Sequence, residues 1–212
     1  MNATIDKAEY RGTKYLNLRS LNLVQLPARL IESCEARLAN VQTLHLQNNS
    51  IKFLPDEFGF NFRHLRSLAL NENGLTSLPR SFFFMDQLSF LDISGNDFSA
   101  QDFPAELCEC KSLQILRISG CNIWTVPKSI GNLQNLKKLC LPNNYIAALP
   151  LEIYSLSGLE RLNLASNLIS CISSEIRFLK QLLYLNCKNN NISYIPPPFV
   201  WSQLKVRTFL TV

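Results

Sequence analysis

Hydrophobic residues recur along this chain in a unit of about 23 residues, which has the form L-x-x-L-x-L-x-x-N-x-L-x-x-L-P. One copy extends from Leu65 to Pro79, and another extends from Leu136 to Pro150. Self-similarity at a fixed period of about 20 to 50 residues is the signature of a solenoid of stacked repeats. We count eight copies, whose L-x-L pairs begin at Leu16, Leu44, Leu68, Leu91, Leu116, Leu139, Leu162 and Leu185.

The L-x-L pair of each unit predicts a short β-strand. Side chains alternate between the two faces of a strand, so the leucines should point into the core and the residues between them outward. Stacked units then form one parallel sheet. The proline at the end of the unit suits a first helical turn, which predicts short helical or 3₁₀ segments on the opposite, convex side. The spacer 28–40 contains neither Gly nor Pro and is predicted to be a helix on that side.

An asparagine recurs where each predicted strand ends. It is present in six units, as Asn49, Asn73, Asn96, Asn144, Asn167 and Asn190. Buried backbone groups in such a turn need hydrogen-bond partners, and an inward amide can both donate and accept. We therefore interpret this column as a structural ladder and not as a polar active site. Cys121 takes the same position in the fifth unit as a small, weak donor.

These units resemble the leucine-rich repeat superfamily. The L-P-x-x-I endings in VPKSIGNLQNL and LPLEIYSLSGL are similar to its intracellular 23-residue class, which includes the Scribble-type and Shoc-2-type scaffolds. The resemblance covers about residues 13–196 and implies an α/β fold, a curved leucine-rich repeat solenoid (horseshoe) of about eight repeats with a parallel concave sheet. It says little about function, because unrelated partners are bound on this frame.

A second resemblance rests on units of unusual length. The segment LPDEFGFNFRHL, followed by the lengthened FSAQDFPAELCECKSLQIL, resembles the leucine-rich repeat-containing protein 58 family. This resemblance implies a substrate-recruiting role in ubiquitin ligation. A C-terminal region beyond the repeats would be expected of that family, and the 212 residues do not contain it.

The repeat register divides the chain into three expected parts. Residues 1–14 form an N-terminal cap, residues 15–196 form the repeat domain, and residues 197–212 form a degenerate or truncated C-terminal repeat. The last core layer of a solenoid needs a cover, and the sequence after IPPPF is apolar. We therefore expect either a truncated product or an end that is covered by a partner or a second copy. The oligomeric state stays open.

Composition and charge narrow the class of protein. With 47% hydrophobic and 17% charged residues, the chain is expected to fold. The net charge of +5 comes without a dense basic run, so we expect no nucleic-acid partner. No secretory signal or apolar stretch of about 18 residues is present, which predicts an intracellular, cytoplasmic protein without a membrane span. Seven scattered cysteines agree with a reducing compartment.

The candidate binding surface lies on the concave face. Phe90 and Ile115 are adjacent large apolar residues there, and they form either the core of an interface or a cover for neighbouring strands. Basic residues follow on successive repeats, with Asp92 and Glu72 expected on the other side of Phe90, so a partner with an acidic surface would be attracted. The surface comprises Phe90, Asp92, Ile115, Arg117, Lys138, Cys140, Arg161, Tyr184 and Lys188.

Candidate chemistry is sparse. The two histidines, His45 and His64, fall on different faces and make no joint metal site. Cys108 and Cys110 form a C-x-C pair, but the register predicts that Cys110 is buried. Cys140 should face the groove beside Lys138, where a neighbouring cation would lower its thiol pKa. A nucleophile also needs a positioned base, and none can be assigned, so we expect neither an enzyme nor a cofactor.

The sequence therefore predicts a non-catalytic intracellular protein–protein interaction module that acts as a scaffold or regulator in signal transduction. The alternative is a substrate-recruiting adaptor of a ubiquitin ligase. A third possibility is a redox-sensitive or catalytic protein that acts through Cys140.

Overall fold

The computed structural model describes residues 13–27, 30 and 40–201. It contains one sheet of eight parallel strands in sequence order, each paired with the next along the chain. The strands are β1 (Tyr15–Asn17), β2 (Thr43–His45), β3 (Ser67–Ala69), β4 (Phe90–Asp92), β5 (Ile115–Arg117), β6 (Lys138–Cys140), β7 (Arg161–Asn163) and β8 (Tyr184–Asn186). The predicted fold class, a curved leucine-rich repeat solenoid, is confirmed.

In the part of the chain that the structure describes, a short helix follows each of the strands β2 to β8 on the convex side. They are helix α1 (Phe58–Asn61), five 3₁₀ helices (Arg80–Phe84, Ala105–Glu109, Lys128–Asn132, Leu151–Ser155 and Ser174–Phe178) and helix α2 (Pro198–Trp201). Proline immediately precedes four of the 3₁₀ helices in an extended conformation. Ser173 replaces it before the last one, where its hydroxyl accepts the N–H of Glu175 at 3.3 Å. The predicted 3₁₀ segments are confirmed.

Some predictions fall outside the described residues. The helix predicted over 28–40 lies there almost entirely, as do most of the proposed cap (1–14) and of the C-terminal repeat (197–212). The division into three parts therefore stays a proposal.

The core is a stack of inward leucines. The central residue of every strand is a leucine that is at most 4% exposed, while the residues on either side of it face outward. Each repeat adds one such layer, so the hydrophobic stabilisation grows with the number of stacked units.

The asparagine column lies beneath the turn that follows each strand, as predicted. In the sixth repeat, the Oδ1 of Asn144 accepts the N–H groups of Cys121 (3.0 Å) and Ile123 (3.2 Å), and its Nδ2 donates to the carbonyls of Ile118 (2.8 Å) and Leu141 (3.0 Å). Each amide thus bonds to the backbone of its own repeat and of the preceding one. These bonds fix how far apart successive strands lie, and hence the spacing of the outward side chains.

Candidate protein-binding face

The outward residues of the sheet form two straight columns. The first residues of neighbouring strands are paired from Tyr15 to Tyr184, and the third residues from Asn17 to Asn186. The first column reads Tyr15, Thr43, Ser67, Phe90, Ile115, Lys138, Arg161, Tyr184, and the second reads Asn17, His45, Ala69, Asp92, Arg117, Cys140, Asn163, Asn186. This is the register predicted from the sequence.

Phe90 and Ile115 are direct cross-strand neighbours, and both are half-buried. The guanidinium carbon of Arg117 lies 5.5 Å from the centre of the Phe90 ring. A cation over an aromatic face is attracted by the ring quadrupole. The Phe90 ring is therefore partly covered within the protein, and Ile115 is its apolar neighbour on the open groove.

Asp92 lies beside a basic residue, whereas the sequence pattern predicts it on the opposite side of Phe90. It pairs across the strands with Arg117, whose Nη1 lies 3.6 Å from the Asp92 Oδ2. Because the two residues occupy the same column on adjacent strands, their side chains meet directly. The ion pair neutralises part of the charge of Arg117. The positive charge of the groove that is not neutralised in this way therefore lies on the following repeats.

Lys138, Arg161 and Lys188 carry that free charge. The guanidinium carbon of Arg161 lies 4.7 Å from the centre of the Tyr184 ring. Among the residues that the structure describes, neither the Lys138 nor the Lys188 ammonium has an ion-pair partner. Within the two columns, Asp92 is the one acidic residue. The C-terminal half of the groove is thus positively charged.

Cys140 corrects a second expectation. Its side chain is half-buried between Arg117 and Asn163 in the second column. Burial raises the pKa of the Cys140 thiol, and the opposing charges of Arg117, Arg161 and Lys138 do not reverse that direction. Because desolvation of the thiolate exceeds the attraction of the cations, the pKa of Cys140 shifts in the direction opposite to that of an activated thiolate.

The C-x-C cysteines and His45 lie in separate places within the described part of the chain. Cys110 is fully buried, as predicted, and burial raises its thiol pKa to about 12. Burial likewise raises the pKa of Cys108 to about 11. His45 lies in the groove, with its Nδ1 3.0 Å from the Tyr15 hydroxyl. Over residues 13–27, 30 and 40–201, no group of three or more His, Cys, Asp or Glu residues could hold a metal ion.

The N-terminal half of the groove contains a depression that the repeat pattern does not predict. It has a volume of about 320 Å³ and is bordered by Arg19, His45, Phe90 and Asp92. In the second column, Ala69 on β3 lies between His45 on β2 and Asp92 on β4, and its small side chain was the sequence signal for the depression.

A cluster of exposed aromatic residues on the convex side was also missed. Phe53, Phe60, Phe83 and Phe84 are between 36% and 60% exposed and border an open groove of about 810 Å³. The ring centres of Phe60 and Phe84 are 3.9 Å apart. The core takes Phe58 and Phe62 from FGFNF and Phe82 from SFFF, so the remaining phenylalanines of these two segments were the available signal.

Comparison with known proteins supports the leucine-rich repeat superfamily. The model of the Leucine rich repeat family matches residues 39–98, and a second Leucine Rich Repeat model matches residues 112–133. The solved structure of internalin C2 from Listeria monocytogenes is 22% identical, with a TM-score of 0.75, and the alignment covers 91% of this chain and 79% of that chain. At this identity the likeness concerns the fold alone.

Curated relatives share the repeats with this chain. MAP kinase phosphatase with leucine-rich repeats protein 1 of Dictyostelium discoideum is 32% identical over 129 residues, which is 60% of this chain and 14% of the relative. Human lumican is 30% identical over 147 residues, which is 66% of this chain and 41% of lumican. The chain spans only 4% to 41% of the first three relatives in these comparisons. Similarity to a phosphatase is therefore similarity to its repeats, and a leucine-rich repeat is typically a non-catalytic interaction module.

In the part of the chain that the structure describes, no helix combines the length and the apolar character needed to cross a membrane.

Proposed function

We propose that this protein is a non-catalytic intracellular interaction module, of the 23-residue L-P-x-x-I class, that scaffolds or regulates a signalling complex. It binds an acidic surface of a protein partner through its concave face. The observation that carries this proposal is the open, positively charged half of the sheet around Lys138, Arg161 and Lys188. The matches to leucine-rich repeat proteins support the general class, since such repeats mediate protein–protein interaction.

Charge determines which partner the groove selects. The cations lie on strands about 4.8 Å apart, so their fields add over a short path. Complementary charge accelerates encounter and disfavours partners of the wrong sign. An acidic segment that runs across β5 to β8 would meet Arg117, Lys138, Arg161 and then Lys188.

Apolar contact supplies the remaining affinity. Ile115 and the free part of the Phe90 ring lie at the N-terminal border of the cationic surface, and Tyr184 lies at the opposite border. Aromatic and arginine side chains with polar surroundings are typical of the residues that dominate binding energy. An apolar side chain of the partner beside its acidic residues would fit this arrangement.

Recruitment of substrates to a ubiquitin ligase is the alternative. In the lengthened fourth repeat that resembles such proteins, the Asp102 carboxylate accepts the backbone N–H groups of Trp124 (2.7 Å) and Thr125 (3.1 Å) and so ties the insertion to the fifth repeat. A cullin or a ligase adaptor among the bound proteins would favour this alternative over the scaffold.

The test is quantitative co-purification from cells with the wild type and a Lys138→Glu, Arg161→Glu variant. The matched control, Arg80→Glu with Lys128→Glu, makes the same change in charge on the convex side, where both residues are exposed. Circular dichroism verifies that all three proteins are folded. We expect a specific set of partners to disappear in the concave variant alone. Loss in neither variant, or in the convex variant alone, would contradict the proposal.

A further inference from the structure

An open groove lies on the convex side of the second, third and fourth repeats. Its border carries four exposed phenylalanines: Phe53, Phe60, Phe83 and Phe84. The buried side chains of Leu54 and Leu78 also border it, so apolar surface continues from the rim into the groove. Its volume of about 810 Å³ is within the range of about 300 to 1,000 Å³ found for ligand pockets, which leaves room for several side chains of a partner. This surface is the convex groove.

Phe60, Phe84 and Phe83 form a continuous row of rings along the convex groove. The ring centres of Phe60 and Phe84 are 3.9 Å apart, and those of Phe83 and Phe84 are 3.8 Å apart. The core takes Phe58 and Phe82 from the same two helices, while the three rings of the row stay between 36% and 52% exposed. Exposed apolar surface with a polar rim marks interaction sites on soluble proteins. The row is therefore a candidate contact surface.

Carboxylates lie at both ends of this apolar surface. Asp56 borders the groove from the second repeat and Glu106 borders it from the fourth. Within the described part of the chain, neither carboxylate has an ion-pair partner. Arg80, in the third repeat, is the cation among the described residues of the border. Two negative charges and one positive charge give the groove a net charge of minus one at neutral pH, opposite in sign to the concave surface around Lys138.

We propose that the convex groove binds a segment of a second partner protein in which apolar side chains are flanked by lysine or arginine. The apolar side chains lie against the row of rings, and the flanking cations meet Asp56 and Glu106. An aromatic face also attracts a cation through its quadrupole, so a lysine or arginine above Phe60 adds to the binding. Because the convex and concave surfaces have opposite charge, one copy of the chain can join two different partners, as a scaffold does.

Charge disfavours the other occupants of the groove. A second copy of the chain would bring two convex grooves of the same negative sign face to face, and like charges repel. An anionic membrane surface or an acidic segment would meet the carboxylates of Asp56 and Glu106 in the same way. A wholly apolar segment would desolvate these carboxylates without offering them a partner, which costs free energy. An apolar segment with flanking cations avoids all of these costs.

The experiment is a selection of short random peptides, displayed on phage, on the immobilised full chain. The wild type is compared with the variant Phe60→Ser, Phe84→Ser, and circular dichroism verifies that each protein is folded. The matched control is Phe178→Ser. Phe178 is 49% exposed and lies five residues after Ser173, the position in its repeat that Phe60 has relative to Pro55. We expect only the double variant to lose a class of peptides that combine apolar residues with lysine or arginine.

Fluorescence polarisation with one synthetic peptide of this class makes the prediction quantitative. The double phenylalanine variant should bind it at least about tenfold more weakly, because the loss of buried aromatic contacts typically costs this much or more. Asp56→Asn with Glu106→Gln keeps the rings and should weaken binding about threefold, whereas Arg80→Gln should strengthen it. The control for charge, Glu152→Gln, lies on the convex 3₁₀ helix Leu151–Ser155 and should change the affinity little.

Several results would overturn the proposal. One is that the double variant retains all selected peptides, and another is that the peptides it loses carry acidic flanks. A dimer in sedimentation velocity that dissociates in the double variant would assign the groove to a second copy. Binding of phosphatidylcholine–phosphatidylserine vesicles that the double variant loses, with every peptide retained, would assign it to a membrane. Loss of the apolar and basic peptides in the Lys138→Glu, Arg161→Glu variant would place them on the concave face instead.

Discussion

Replacement of Asn144 by alanine tests the role of the asparagine column. The side chain is only 5% exposed and makes four hydrogen bonds of 3.2 Å or shorter to backbone groups of two repeats. Alanine leaves the N–H groups of Cys121 and Ile123 and the carbonyl of Ile118 without these partners, whereas the Leu141 carbonyl keeps the bond from the Asn167 Nδ2 (2.9 Å). At a cost of about 1 kcal/mol for each of these three groups, the variant should lose about 3 kcal/mol of unfolding free energy. That loss corresponds to a fall in Tm of about 6 to 12 °C for a chain of this size.

A graded series makes this prediction specific. Cysteine in the same position of the fifth repeat keeps a donor, since the Cys121 Sγ lies 3.3 Å from the Ile93 carbonyl. It offers no carboxamide oxygen to the N–H groups. Asn144→Cys should therefore leave only the two N–H groups unsatisfied and cost about 2 kcal/mol, about two thirds of the loss in Asn144→Ala. The control is Asn132→Ala, an exposed amide of a convex 3₁₀ helix, which should change stability by less than about 0.5 kcal/mol.

The assay is urea denaturation followed by circular dichroism, with the m-value compared among variants to verify that the same surface unfolds. A loss below about 1 kcal/mol for Asn144→Ala, or equal losses for the alanine and cysteine variants, would refute the reasoning that the amide satisfies both donors and acceptors.

Three further predictions follow from packing and burial. Gly59→Ala places a Cβ 1.8 Å from a backbone carbonyl oxygen of the next repeat and should cost about 1 to 3 kcal/mol by urea denaturation, whereas Gly74→Ala, whose nearest contact is 3.6 Å, should be close to neutral. Iodoacetamide at pH 7.5 should modify the exposed Cys171 well before Cys140, and faster labelling of Cys140 in mass spectra would contradict its raised pKa. Burial lowers the pKa of His45 below 6.5, so the unfolded chain binds the proton more readily and stability should fall as the pH drops through that value. Denaturation midpoints from pH 7.5 to 5.5 should show this fall, and His45→Asn should reduce it.

The repeat period alone predicted the features of the fold that are determined by backbone register. The two outward columns follow from counting residues, because a parallel sheet of identical units places Phe90 beside Ile115 and Arg117 beside Cys140 without further information. The asparagine column and the convex 3₁₀ helices follow in the same way, since their hydrogen bonds are made within and between repeats of known spacing.

Side-chain encounters were harder to predict. The Asp92–Arg117 ion pair depends on two neighbouring rotamers, and the raised pKa of Cys140 depends on how far burial outweighs the surrounding cations. Neither the side-chain rotamers nor the burial of Cys140 follows from the repeat period.

The convex aromatic cluster depends on a change of spacing. Pro55 and Pro79 are 24 residues apart, whereas Leu65 and Leu88 are 23 apart. The extra residue lies within the convex segment between Pro55 and Leu65. Phe60 and Phe84 therefore pair at a spacing of 24 residues, which a constant period of 23 does not give.

Site-specific photo-crosslinking in cells tests the central claim, that partners bind on the concave face, most directly. A photoreactive phenylalanine analogue at Ile115 reports on the groove, and the same analogue at Phe60 reports on the convex cluster. We predict a discrete crosslinked partner from position 115 that disappears when Lys138→Glu and Arg161→Glu are added. Crosslinks that form only from position 60, or that persist from position 115 in the charge-reversed variant, would contradict the account.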